Sequence, residues 1–311
     1  MAAAAVSTAA TEGPLGAQLS ELQRRIAQLV APGAFASRWA EELEAVVRRA
    51  EAVTLRDLDA VLYLLAQDAQ RNLDAYSSRH ALYCGVVVRL ACVELGWPEA
   101  EATLLMRAAL TMNLGMAALQ DELNFRERTP TVEQRLAVQQ HPQASVALLR
   151  EAGVDDALWL EVVARHHEEL PAEAVPGELE PARRLATLLH RADVFTAKLS
   201  ARQARGAMPA VEAARSTCLG ADGRPDELGA ALLKALGIYP PGSYVKLASG
   251  EIAVVKRRGS KATEPLVLSL IGRDGRPLNP PLARHTGQPE HAVRSAAWPP
   301  AARLLAGSGL R

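Results

Sequence analysis

RAALTMNLGMAALQDEL, residues 107–123, reads as the buried end of a helix running into a glycine-containing turn. Upstream of it lie apolar-periodic runs at about 99–112 and 76–95, divided by Gly96 and Pro98, and others at about 55–73 and 37–53. Farther upstream, LSELQRRIAQLV places Leu19, Leu22, Ile26, Leu29 and Val30 on one stripe, and Ser20 with Gln23 matches a capping box. Downstream, Thr131 and Gln134 in TPTVEQRLAVQQ make a second match. Pro142 disfavours helical geometry at His141, which places that histidine at a bend with a new helix running to Gly153. DDALWLEVVARHHEEL is the next helix and stops before Pro171, and Pro181 starts a long one through about residue 205. Pro209 and Pro225 open two shorter helices, closed by Gly220 and Gly237.

The pattern then changes. In YVKLASGEIAVVKRR, β-branched residues flank Ser249-Gly250, a hairpin signal, and PLVLSLIGRDGRP reads as a third strand. The expectation is an all-α fold, a helical bundle carrying a small C-terminal antiparallel β appendage. It divides into a disordered tail (1–18), an N-terminal helical region (19–73), a helical core (74–237), the appendage (238–285) and a weakly structured tail (286–311).

A chain of 311 residues that is 49% hydrophobic can bury a substantial core. Its 35 basic residues equal its 35 acidic ones, which removes the electrostatic argument for DNA or a membrane surface as partner. Cys84, Cys92 and Cys218 form no CxxC pair and read as buried thiols in a reducing compartment. The alanine-rich start lacks the basic and apolar regions of a signal peptide. The longest apolar run, ALYCGVVVRLACV, is interrupted by Arg89 and too short for a membrane span. A soluble, cytoplasmic protein is expected.

Chemistry is concentrated in the histidines and one aspartate. His80, His141, the pair His166-His167 and Asp193 sit on different helices. On an ideal helix Asp193 projects about 110° from the centre of its apolar stripe, so its carboxylate can reach a pocket without being sealed in the core. Imidazoles and a carboxylate gathered from several helices suit a first-row metal ion. Capped or surface histidines with a solvated aspartate are the plainer alternative. Arg202 and Arg205 project within about 60° of each other on a helix and could hold a phosphate, or form a solvated basic face.

Taken in order, DAYSSRH, AALTMNLGM, QHPQASVALLREAG, VVARHHE and ADVFTAKLSARQAR resemble the HD-GYP family. That family comprises helical members of the HD phosphohydrolase superfamily that hydrolyse the bacterial second messenger cyclic di-GMP. The likeness covers about residues 70–240 and implies an HD-domain-like bundle. It implies metal ligands at His80, His141, His166, His167 and Asp193, and ligand-binding arginines at Arg202 and Arg205. It also exposes departures. The family's H-D-x-G-K stands here as Met112, Asn113, Leu114, Gly115 and Met116, and ELPAEAVPG replaces its D-G-x-G-Y-P loop.

In an intact site the missing aspartate bridges two metal ions and the missing histidine binds one. Asn113 is neutral, Met112 offers only a soft thioether, and Met116 removes a cation that would pair with phosphate. Methionine instead fills an emptied pocket with flexible apolar mass. No catalytic residue is therefore assigned, and inactive or altered activity is favoured. The expected role is bacterial signalling by binding cyclic di-GMP, a related nucleotide or a partner protein, with a homodimer through the N-terminal helices as a further option. The rival is a metal-dependent phosphohydrolase using a reduced His/Asp site. The cofactor is one iron, manganese or other divalent ion, or none.

Overall fold

The computed structural model describes residues 14–34, 38–168, 176–220, 223–298 and 300. Much of ELPAEAVPG, residues 1–13 and the end of the chain lie outside them. The N-terminal half runs through α1 (Leu15–Val30), α2 (Trp39–Arg56), α3 (Leu58–Arg71), α4 (Tyr76–Leu95) and α5 (Glu99–Thr111). A 3-10 turn at Leu114–Met116 leads into α6 (Ala117–Asn124). Then come α7 (Val132–Glu151), α8 (Ala157–Arg165), α9 (Pro181–Leu199), α10 (Ala210–Cys218) and α11 (Glu227–Leu236).

Every residue of α4 from Tyr76 to Cys92 is buried, so this helix is the axis of the bundle. It is apolar almost all round, which a helix tolerates only when neighbours cover it on every side; α1, α5, α9 and α11 do so. Its buried Arg89 is held by two hydrogen bonds to Glu99 at 2.7 Å. The stripe of Leu19, Leu22, Ile26 and Leu29 on α1 packs inside this bundle. Glu99–Asn124 is long and apolar enough to cross a membrane by length and composition, but 61% of its most apolar window is buried inside the fold.

Three local expectations are corrected. α1 starts at Leu15, inside the expected tail, so Ser20 lies within the helix and caps nothing; Gln23 donates to Asp68 at 3.0 Å. The Thr131–Gln134 capping box does form. Pro142 does not end a helix but sits inside α7. Proline leaves the carbonyl four residues back without its N–H partner, and here His141 Nδ1 donates to that carbonyl, Val138 O, at 2.5 Å. The ring that prolongs the helix is thereby fixed in orientation. Finally, α9 stops at Leu199, so Arg202 and Arg205 do not share a helix face. They close a tight turn, exchanging N–H···O bonds at 2.8 and 3.0 Å.

The fold is mostly helical but not all-α. β1 (Tyr244–Leu247), β2 (Ile252–Arg257), β3 (Leu266–Ile271), β4 (Pro277–His285) and β5 (Val293–Ala296) form one antiparallel sheet in the order β4-β3-β2-β1-β5. The Ser249-Gly250 turn joins β1 to β2 as expected. β5 lies in the stretch expected to be weakly structured; its Val-Arg-Ser-Ala has too little apolar alternation to announce a strand, and pairing with β1 supplies the order. The sheet docks on α3, where Gln67 and Gln70 donate to Gly242 O at 3.1 and 3.2 Å and Tyr244 donates to Gln67 at 3.1 Å. Gly242 has φ +89°, and a Cβ there would stand 2.5 Å from the Ala66 Cβ.

A candidate metal centre

Four helices deliver the polar groups. α4 supplies His80 and Cys84, one turn apart; α7 supplies His141; His166 and His167 follow the last turn of α8; α9 supplies His190 and Asp193. The structure thus brings together His80, His141, His166, His167 and Asp193, which are far apart in the chain. His141 and His166 are 1% and 0% exposed.

Their tautomers follow from their neighbours. His141 Nδ1 faces Val138 O, and His166 Nδ1 faces Val163 O at 2.7 Å. A carbonyl only accepts, so both Nδ1 atoms carry the proton and both Nε2 atoms present a lone pair. Those two Nε2 atoms are 3.1 Å apart. Two lone pairs at that distance repel unless a cation or a shared proton lies between them. The proton is disfavoured: burial, with His167 alongside, pushes His166 down to about 3, and burial lowers His141 too. Burial likewise holds His167 down to about 4. These are neutral imidazoles, the form that binds a metal.

Asp193 connects this cluster to His80. Its Oδ1 accepts from His80 Nε2 at 2.7 Å, and its Oδ2 lies 3.8 Å from His167 Nε2. Burial raises the carboxyl pKa, but the hydrogen bond and charge of His80, with His166 and His167, hold it well below the usual range. Burial opposes charge on His80, and Cys84, Tyr76 and the Asp193 hydrogen bond outweigh it, raising that imidazole well above its ordinary value. Without metal, His80 and Asp193 are a buried ion pair.

The remaining site residues are spread over the surroundings. Met112 is fully buried in the apolar core. Asn113 is 8% exposed, and its Oδ1 is buried with no hydrogen-bond partner, an oxygen donor a hard cation would satisfy. Met116 lines a surface cavity of about 390 Å³ with Val30, Pro32 and Leu148, and none of the histidines borders it. The Arg202 guanidinium lies 5.7 Å from the centre of the Tyr76 ring, which stacks on His80 at 5.2 Å, while Arg205 donates to Ala197 O. Glu168 points away toward Arg183. The donor set fits a divalent metal: the ligand atoms of His141, His166 and His167 lie within 4.8 Å of one another, and Asp193 falls in two further such groups, one with His167 and His190 and one with His80 and Cys84.

The structure adds His190 and Cys84, which no sequence motif marks. Their signal is helical spacing, since His190 stands three residues before Asp193 and Cys84 four after His80, each pair on one face. The His190 ring lies 5.2 Å from that of His167.

Gly115 explains why the turn keeps its glycine. A Cβ there would stand 2.6 Å from the Ala144 Cβ and 2.9 Å from His141 O, so the turn presses directly on α7 beneath His141. Gly115 N donates to Ser145 Oγ, which donates to Met112 O. Gly115→Ala is expected to destabilise the fold by about 1–3 kcal/mol through overpacking. Urea denaturation checks this, and an unchanged midpoint would contradict the packing described.

The chain is 28% identical over 226 residues to a cyclic di-GMP phosphodiesterase of Pseudomonas aeruginosa, a match covering 71% of this chain and 54% of that protein. It therefore spans about half the length of the curated relative it matches. Its fold is similar to that of an HDG"Y"P protein from Bdellovibrio bacteriovorus, with a TM-score of 0.52, 13% identity and 74% of each chain covered. No family model matches.

Proposed function

We propose that this chain is an HD-GYP-type protein that acts in bacterial signalling as a metal-dependent binder of a cyclic dinucleotide such as cyclic di-GMP, a reading supported by its likeness to the cyclic di-GMP phosphodiesterase and by its fold. It would do so without the hydrolytic rate of a complete two-metal site. The observation that carries the metal reading is the 3.1 Å approach of two Nε2 atoms whose Nδ1 protons are both committed to backbone carbonyls. His141, His166, His167 and Asp193 would hold the ion, which would supply Lewis-acidic contact to a phosphoryl oxygen. Arg202 and Arg205, exposed in their turn, hold the outer phosphate by charge-assisted hydrogen bonds.

Hydrolysis is weak in this reading because of two neighbouring side chains. Met112 is buried in the core and offers no imidazole, and neutral Asn113 cannot bridge two ions as a carboxylate does. Losing that electrostatic clamp typically costs orders of magnitude in rate.

The test incubates iron- or manganese-loaded protein with cyclic di-GMP. The expected result is a thermal shift, worth about 2.7 kcal/mol at a hundredfold excess over Kd, with negligible linear product. Arg202→Ala should weaken the shift. Robust hydrolysis would overturn the binding role. No shift with cyclic or linear di- and mononucleotides would point to a protein partner.

One observation favours the rival, a phosphohydrolase with a reduced site. The unpartnered Asn113 Oδ1 leaves an oxygen donor where the resemblance puts the bridging carboxylate. On that reading metal-dependent turnover is measurable and falls with Asn113→Ala.

A further inference from the structure

We propose that Cys84 is a metal ligand, and that Cys84, His80 and Asp193 form a second, thiolate-bearing metal compartment beside the imidazole cluster. This rests on the metal reading above and deepens it. Cys84 is fully buried one helical turn after His80, so both side chains project from α4 toward α9. Its Sγ lies 3.5 Å from His80 Nε2, which lies 2.7 Å from Asp193 Oδ1, and all three donor atoms fall within 4.8 Å of one another. Ligands bound to one tetrahedral ion, with bonds of about 2.0–2.3 Å, stand about 3–4 Å apart. Small side-chain adjustments therefore complete the set.

The two oxygens of Asp193 face opposite ways. Oδ1 meets His80, and Oδ2 faces His167 at 3.8 Å. A single carboxylate can thus serve both compartments, a role the neutral Asn113 cannot perform.

The second compartment differs in kind from the first. It is more enclosed, because His80 and Cys84 are both buried whereas His167 of the imidazole cluster has a side chain 38% exposed. Its sulfur selects borderline ions such as zinc, cobalt(II) or iron(II) over manganese or magnesium. When the ion enters, the Sγ proton of Cys84 and the Nε2 proton of His80 leave to solvent, while Asp193 enters as the carboxylate it already is. As a plain core thiol, Cys84 needs only Thr196 Oγ1 at 3.0 Å. Cys92 and Cys218, equally buried, belong to no such group of donors among the described residues.

Cobalt(II) titration of chelator-stripped, full-length protein tests the assignment. A thiolate-to-cobalt charge-transfer band in the near ultraviolet is expected in the wild type and in Cys218→Ser, and absent in Cys84→Ser. The cobalt capacity of Cys84→Ser should fall by one ion per chain. Visible cobalt absorption without the charge-transfer band in the wild type would overturn the role of Cys84 and leave the imidazole site standing. Persistence of the band in Cys84→Ser would also overturn it. Failure of the wild type to take up any cobalt would overturn both readings. If Cys84→Ser does not fold, a charge-transfer band that survives in both Cys92→Ser and Cys218→Ser supports the assignment, and its loss in either overturns it.

Discussion

Asp193→Ala is expected to strip the protein of bound metal and to lower the unfolding free energy of the metal-free form by about 3–5 kcal/mol. Asp193 is the one carboxylate within hydrogen-bonding distance of His80 and the anion nearest His167 among the described residues. Removing it leaves the raised, buried His80 without its counter-charge, and breaking one side of such a pair costs more than the pair contributes. Asp193→Asn separates the two effects, because it keeps the shape and removes the charge. Metal retention should be lost in both variants. A double-mutant cycle with His80→Ala measures the pair itself, and near-additive losses would show that the two side chains are not coupled.

Acidification is the second large effect, and its sign follows from the neutral imidazoles. In metal-free protein His166 stays neutral down to about 3 and His167 down to about 4, whereas histidines of the unfolded chain protonate near about 6.5. Between those values the unfolded state binds more protons, so stability is full above about pH 6.5 and falls as pH drops. Each fully buried imidazole contributes a slope of about 1.4 kcal/mol per pH unit. His167, with a side chain 38% exposed, contributes less because solvent screens it. His80, whose pKa is raised, gives stability already complete below about pH 6.5, and Asp193 loses its contribution only below the carboxylate range, so neither cancels the slope. Urea midpoints of chelated protein at pH 7 and pH 5 measure it. His166→Asn should flatten the dependence, and a flat wild-type profile would contradict neutral buried imidazoles.

Much of the helical plan is visible in the chain because apolar periodicity and punctuation are local. The limits of α4 and the Thr131–Gln134 cap follow from residues a few positions apart. Features set by partners elsewhere are not visible in this way. Pro142 reads as a break until His141 takes the carbonyl it frees. Ser20 reads as a cap until the helix extends back to Leu15. β5 has no signal apart from its pairing with β1, and together with β4 it enlarges the small appendage expected from three strands into a five-stranded sheet.

The site is legible as a set of residues and not as a geometry. Histidines on separate helices and an aspartate at the edge of an apolar stripe carry no distances, and nothing local says that two Nε2 atoms will meet. Cys84 and His190 each look like ordinary helix composition until α4 and α9 are packed face to face. The turn at Met112–Met116 reads as filled core. Met112 lies in that core, yet Asn113 beside it keeps a buried oxygen without a partner.

The most direct measurement is elemental analysis of the protein purified after growth in medium supplemented with iron, manganese and zinc, wild type beside Asp193→Ala. Stoichiometric divalent metal in the wild type and none in the variant is the predicted result. A folded wild type that carries no metal would contradict the account at its centre.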